Sequence, residues 1–150
     1  MSNEFLLEVF YIKIRIKNTI KNHSEKSEIL IETFAIKNKN KINYYNEDTT
    51  YKLIFFDNKI LLTRETKEFI NKFIFELDNI TKSEYYIKEF NTNFDILIKT
   101  TRINKNSKRI EIDYEIIDNN NKYSYILDME WSYEYKKRIT RNNKREFNKK

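Results

Sequence analysis

The chain contains no glycine, no proline and no cysteine, and alanine occurs once, at Ala35. Without cysteine there is neither a disulfide framework nor a thiolate metal site. Without glycine there is no phosphate-cradling loop of the usual kind. An average chain of this length would hold about ten glycines and seven prolines. Lys, Asn, Ile, Phe and Tyr crowd the sequence instead, and these are residues of A- and T-rich codons. An AT-rich coding sequence accounts for the bias. It leaves Asn to occupy the positive-φ positions that glycine usually takes, because Asn tolerates the left-handed region better than other residues.

Other absences narrow the chemistry. Histidine occurs once, at His23, in a stretch that reads as a turn. No nucleophile or orienting group accompanies it, so a surface histidine is expected and not a general base. No His/Cys cluster offers a zinc site and no Asp-rich loop has calcium-site spacing. Hydrophobic runs stay well short of the ~18 residues that a membrane helix needs. Residues 1–8 carry two acids and no basic leader, so no secretory signal is expected and a cytoplasmic location is.

What is present suits one soluble domain. The chain has 150 residues, 39% of them hydrophobic and 15% aromatic, too apolar and aromatic for a disordered chain. The net charge of +6 is unevenly placed. Residues 136–150 hold eight of the 29 basic side chains and one of the 23 acidic ones, which makes that segment +7 and leaves residues 1–135 at −1. The domain is therefore drawn as a body, 1–135, followed by a basic and flexible C-terminal tail, 136–150. A basic arm is a common handle for polyanions, and a Lys-rich solvated terminus is the plain alternative.

The dominant period is two. Ile12, Ile14 and Ile16 alternate with Lys13, Arg15 and Lys17; Ile110, Ile112, Tyr114 and Ile116 alternate with Arg109, Glu111, Asp113 and Glu115. Side chains alternate across a strand, so these are half-buried strands of an antiparallel sheet. Tyr123, Tyr125, Leu127, Met129, Trp131, Tyr133 and Tyr135 make the longest such ladder. Further strands are read at 28–37, 41–45, 51–56, 59–63, 69–77, 84–90 and 94–103, separated by turns of Asn, Asp, Ser and Lys. Asp57-Asn58 reads as a two-residue hairpin loop. A helix over 64–71 is weighed and set below the strand reading, because Phe69, Asn71, Phe73, Phe75 and Leu77 alternate cleanly. The expected fold is all-β: an antiparallel barrel of about eight to ten strands. Its interior is expected to take Ile12, Ile14, Ile16, Phe73, Phe75, Ile96, Ile98, Ile110, Ile112, Tyr114, Leu127 and Met129. Lys13, Arg15, Glu111 and Asp113 are expected outside.

The order of segments resembles a known family. The run Leu53-Ile54-Phe55-Phe56-Asp57-Asn58-Lys59-Ile60-Leu61-Leu62-Thr63-Arg64, then Lys72-Phe73-Ile74-Phe75-Glu76, is similar to the central hairpins of the bacterial YwiB-like family. Asp95-Ile96-Leu97-Ile98-Lys99-Thr100-Thr101 and Ile110-Glu111-Ile112-Asp113-Tyr114-Glu115-Ile116 resemble its last strands. The likeness spans residues 11–131 as a pattern of segments. It implies a calycin-like, up-and-down barrel of eight strands, with extra strand pairs coming from bends. It implies no activity, because the family is one of unknown function. Phe90-Asn91-Thr92-Asn93 and Glu65-Thr66 depart from turns where the family carries glycine.

Function is narrowed but not fixed by this reading. No catalytic residue, metal or cofactor is indicated, so the chain is read as a binding protein and not an enzyme. A small apolar ligand in the barrel interior or mouth is the first reading, with Trp131, Tyr133 and Tyr125 as its candidate lining. The second is a nucleic-acid or ribonucleoprotein accessory that docks RNA or another polyanion through Lys136, Lys137, Arg138, Arg141, Lys144 and Arg145.

Overall fold

The computed structural model describes the backbone of residues 6–140 and the side chains of residues 12–130. Ten strands follow one another along the chain: β1 (Leu6–Asn22), β2 (Ser27–Asn38), β3 (Lys41–Asn46), β4 (Thr49–Phe55), β5 (Ile60–Glu65), β6 (Phe69–Phe75), β7 (Ile80–Ile87), β8 (Thr92–Lys105), β9 (Arg109–Ile116) and β10 (Asn121–Thr140). Each pairs antiparallel with its sequence neighbour, and β1 pairs with β10 to close the barrel. Closure leaves no strand edge unpaired within the barrel wall, which removes the usual route to edge-to-edge aggregation. The up-and-down order is the one expected, and the strand count is ten, above the eight that the family resemblance implies.

The two outer strands overrun the wall. β1 meets β2 only from Ile12 opposite Lys37, and β10 leaves β9 at Asp128 opposite Arg109. Beyond those points β1 and β10 pair with each other alone, as far as Leu6 opposite Thr140. The register shifts between Lys13 and Ile14, and again in β8 between Thr100 and Arg102. Bulges of this kind bend a strand and increase its local twist, as closing a barrel requires.

The tight turns show how a chain without glycine makes them. Positive φ falls on Lys26, Lys39, Glu47, Asp78, Asn91 and Asn120. Asn therefore carries only part of this role, contrary to expectation: Lys and Glu take it where the hairpin closes around them. The two-residue loop at Asp57-Asn58 forms as read, with the Phe56 amide donating to the Lys59 carbonyl at 2.9 Å. Asn106 Oδ1 accepts from the Lys108 and Arg109 amides, so a side chain supplies the turn's hydrogen bonds.

The inward rows form one core. Ile14, Ile16, Phe73, Phe75, Ile98, Ile110, Ile112, Tyr114, Leu127 and Met129 are buried in it, and Ile12 and Ile96 pack against it half-buried. Ile31, Ala35, Ile42, Leu53, Phe55, Ile60, Leu62 and the tyrosines Tyr44, Tyr51 and Tyr125 complete it. Arg15 is exposed, but Lys13, Glu111 and Asp113 are only half so. Lys13 lays its ammonium 4.7 Å from the Phe34 ring centre, and Glu111 pairs with both Arg102 and Arg109.

One strand between β2 and β9 is displaced by several residues from expectation. The strand read at 84–90 is β7, Ile80–Ile87, because hydroxyls hold its start to β6. Thr81 Oγ1 donates to the Ile74 carbonyl, and the Ile74 amide donates to Ser83 Oγ at 3.0 Å. Polar Thr81-Lys82-Ser83 masked that strand from a hydrophobicity reading. The segment 64–71 is the hairpin joining β5 to β6.

Candidate functional site

Among the aromatic residues read as ligand-lining, Tyr125 lies deep in the barrel, 1% exposed. Its hydroxyl hydrogen-bonds that of Tyr44 on β3. Tyr44 donates to Asn18 Oδ1 at 2.7 Å, and Asn18 Nδ2 donates to the Ile126 carbonyl at 2.8 Å. Three strands are thus tied through the interior by one polar chain. Burial pushes the phenols of Tyr44 and Tyr125 well above their ordinary pKa, so both are neutral. The Tyr44 ring stacks on Tyr51 with centroids 4.7 Å apart and planes 4° from parallel.

Trp131 and Tyr133 stand opposite Ile14 and Lys13 in the β1–β10 register; their side chains lie outside the described residues. Along a strand, six residues span about 20 Å, so Tyr125 and Trp131 do not belong to one small site.

A recess opens at the end of the barrel nearer Trp131, between the β2–β3, β4–β5 and β8–β9 turns. Its volume is about 570 Å³. Core side chains Ile42, Phe55, Ile110 and Met129 form its floor, and Lys37, Lys39 and Lys105 stand around it with Asp57. Lys105 Nζ lies 4.5 Å from the Phe55 ring centre, and Lys37 Nζ donates to the Lys39 carbonyl at 2.8 Å. The Asn40 carbonyl accepts from the Phe55 amide while Asn40 Nδ2 donates to the Phe55 carbonyl, both at 2.9 Å, which holds two of the turns together. The result is an apolar floor under a cationic rim. Of its floor, Ile110 and Met129 were legible in sequence as inward-facing. That they share a mouth with Lys37 and Lys105 was not, because six different strands contribute.

A second cluster was missed from sequence altogether. His23 Nε2 lies 2.7 Å from Ser124 Oγ, and Ser124 donates to Asp113 Oδ1 at 2.6 Å. The three sit on an outer recess of about 260 Å³ with Thr101 and Lys122. Serine occupies the middle of this chain, and its proton is directed at the carboxylate. In a hydrolytic triad histidine is the middle member, oriented by the acid. The hydrogen bonds continue an outer-face ion network, since Arg102 is 3.5 Å from Asp113 and 2.9 Å from Glu111. No group of three or more potential metal ligands occurs among the described residues.

Of the basic residues read as a polyanion contact, Lys136, Lys137 and Arg138 fall within β10, opposite Phe10, Val9 and Glu8. Arg141, Lys144 and Arg145 lie outside the described residues. No helix among the described residues is long and apolar enough to cross a membrane.

No sequence-family model matches the chain, and no curated protein does. Among solved structures the chain is similar to the YwiB protein from Bacillus subtilis, at a TM-score of 0.61 and 17% sequence identity. The match covers 84% of this chain and 94% of that one. The likeness read from segment order is therefore a likeness of fold: this chain is a closed antiparallel β-barrel similar in fold to that protein.

Proposed function

We propose that the protein is a non-enzymatic binding protein that takes a small, largely apolar ligand into the recess floored by Ile42, Phe55, Ile110 and Met129. One observation supports this reading above others: core side chains line a concavity there of about 570 Å³, within the usual range for ligand pockets. Burying a ligand's apolar surface against such a floor is favourable by about 25 cal/mol per Å² before the costs of association. The lysine rim favours a ligand with its polar end outward.

The test is a titration of the native protein with an uncharged hydrophobic dye, N-phenyl-1-naphthylamine, with decanol as competitor. Saturable fluorescence enhancement, displaced by decanol, is expected. Phe56→Asp at the exposed edge should weaken dye binding about tenfold, a loss of ~1.4 kcal/mol, and leave the fold intact. Absence of dye binding under native conditions removes the proposal.

The charge of residues 136–150, +7 against −1 for the rest, supports a second reading, polyanion docking through that segment. Each phosphate contacted releases counterions, so such binding would weaken with salt at a log–log slope near −0.7 per contact on single strands. Truncation after Tyr135 should abolish it; equal RNA binding by full-length and truncated protein removes it.

A further inference from the structure

Toward the opposite end of the barrel the inward row of β5 ends on a cation. Ile60 and Leu62 are core residues, and Arg64 is the next inward position. Cross-strand pairing sets it in a continuous row: Tyr44 opposite Tyr51, Tyr51 opposite Arg64, Arg64 opposite Asn71, Asn71 opposite Tyr85. The charge of Arg64 acts on the phenols of Tyr44, Tyr51 and Tyr114, against the burial that raises them. Phe69 lies 5.3 Å beneath the guanidinium and stacks on Tyr85.

Among the described residues no carboxylate pairs with Arg64, and its Nε is buried with no hydrogen-bond partner. Across the strand, Asn71 is 6% exposed and its Oδ1 is also buried without a partner. Leaving one such group unsatisfied costs about 1–3 kcal/mol, and more for a charged one. Two of them adjacent, the N–H donor of a cation and an amide carbonyl acceptor, do not bond each other and so suit a ligand that brings an anionic acceptor to Arg64 and a donor to Asn71. The nearby tyrosines supply flat faces: Tyr44 on Tyr51, and Tyr114 on Tyr123 at 5.2 Å.

We propose that Arg64 and Asn71 form a second binding site, for a small planar monocarboxylate, in the upper half of the barrel. The guanidinium offers Nε and a terminal nitrogen to the two carboxylate oxygens, the bidentate arrangement that arginine favours. The Asn71 carbonyl oxygen, the atom left without a partner, accepts from a donor beside the carboxylate, such as a ring hydroxyl or amine. A single arginine among neutral phenols balances one negative charge, which selects a carboxylate over a phosphate dianion. The stacked tyrosines favour a flat body lying beside them. The layer of Leu53, Leu62 and Phe73 separates this site from the lysine-rimmed recess, so the inference stands independently of the function proposed above.

The test is calorimetric and thermal titration of the full chain with benzoate, benzamide and inorganic phosphate. Benzoate should bind and raise the melting temperature, and the isosteric, uncharged benzamide should bind at least tenfold more weakly. Arg64→Gln should remove the benzoate response. Without ligand, Arg64→Gln should melt no lower than the parent, since it deletes an uncompensated cation; this shows that lost binding is not lost folding. Lys105→Gln, in the other recess, should leave benzoate binding unchanged. Failure of benzoate to bind, equal affinity for benzamide, or benzoate binding that survives Arg64→Gln overturns the site. Phosphate binding as tightly as benzoate overturns the ligand class, and loss of benzoate binding in Lys105→Gln moves the anion out of this site.

Discussion

Tyr44 and Tyr125, 81 residues apart in sequence, meet hydroxyl to hydroxyl inside the barrel, and Asn18 holds the pair to the backbone of β10. Each of these groups is buried, so each depends on the others for its hydrogen bonds. Asn18→Ala leaves the Tyr44 hydroxyl without its acceptor and the Ile126 carbonyl without a side-chain donor. We expect a loss of about 2–3 kcal/mol. Tyr125→Phe removes only the terminal hydroxyl, since Tyr44 keeps Asn18, and should cost about 1 kcal/mol. Denaturant midpoints at constant m-value measure both; equal losses would show that the chain is not ordered from Asn18 outward.

The same burial sets the response to base. Desolvation raises the phenols of Tyr44, Tyr114 and Tyr125 above the ordinary value of 10.0. The native barrel therefore keeps protons that the unfolded chain releases above pH 10. Their contribution is whole below that pH, declines as pH rises past it, and goes on declining until the native phenols ionise. Each such tyrosine steepens the fall by up to ~1.4 kcal/mol per pH unit. Ultraviolet absorbance of tyrosinate and far-ultraviolet circular dichroism, followed together above pH 10, should show these phenols ionising with unfolding. Ionisation of all eleven tyrosines with the fold intact would contradict the burial.

The alternation of β4 gives a packing test within two adjacent residues. Leu53 is fully buried and Lys52 exposed. Leu53→Ala should cost about 2–5 kcal/mol through lost transfer energy and the cavity left behind, and Lys52→Ala should stay within about 0.5 kcal/mol. Comparable effects at both positions would mean the register is wrong.

Turns without glycine are a reserve of stability. Lys26, Lys39 and Glu47 hold φ of 53°, 54° and 56°, a region where a Cβ costs roughly 1 kcal/mol. Replacing any one with glycine should stabilise the protein by up to about 1 kcal/mol, and the three should add, because they lie in separate hairpins. Asn120→Gly, at φ 57°, should give less, since Asn already tolerates that region. Differential scanning calorimetry of the four variants measures the order.

Much of this molecule was legible in the order of its residues. Period two placed Ile14, Ile16, Phe75, Ile98, Ile112 and Leu127 inside, because the alternation of side chains across a strand is a local property of the backbone. Asp57-Asn58 between two apolar runs marked its hairpin for the same reason. Where polar residues interrupted the pattern, at Thr81-Lys82-Ser83, the strand was read as starting only at residue 84, since hydroxyl bonds to Ile74 and not hydrophobicity hold its first residues. What faces what was decided by the closed barrel. Only the β1–β10 closure sets Asn18 on the strand beside Tyr125, only the registers of β4, β5 and β6 set Arg64 between Tyr51 and Asn71, and only six converging strands build the lysine-rimmed recess. Register is a relation between strands, fixed by the packing of all the inward rows together. No single segment carries it, and the chemistry of this protein lies in those relations.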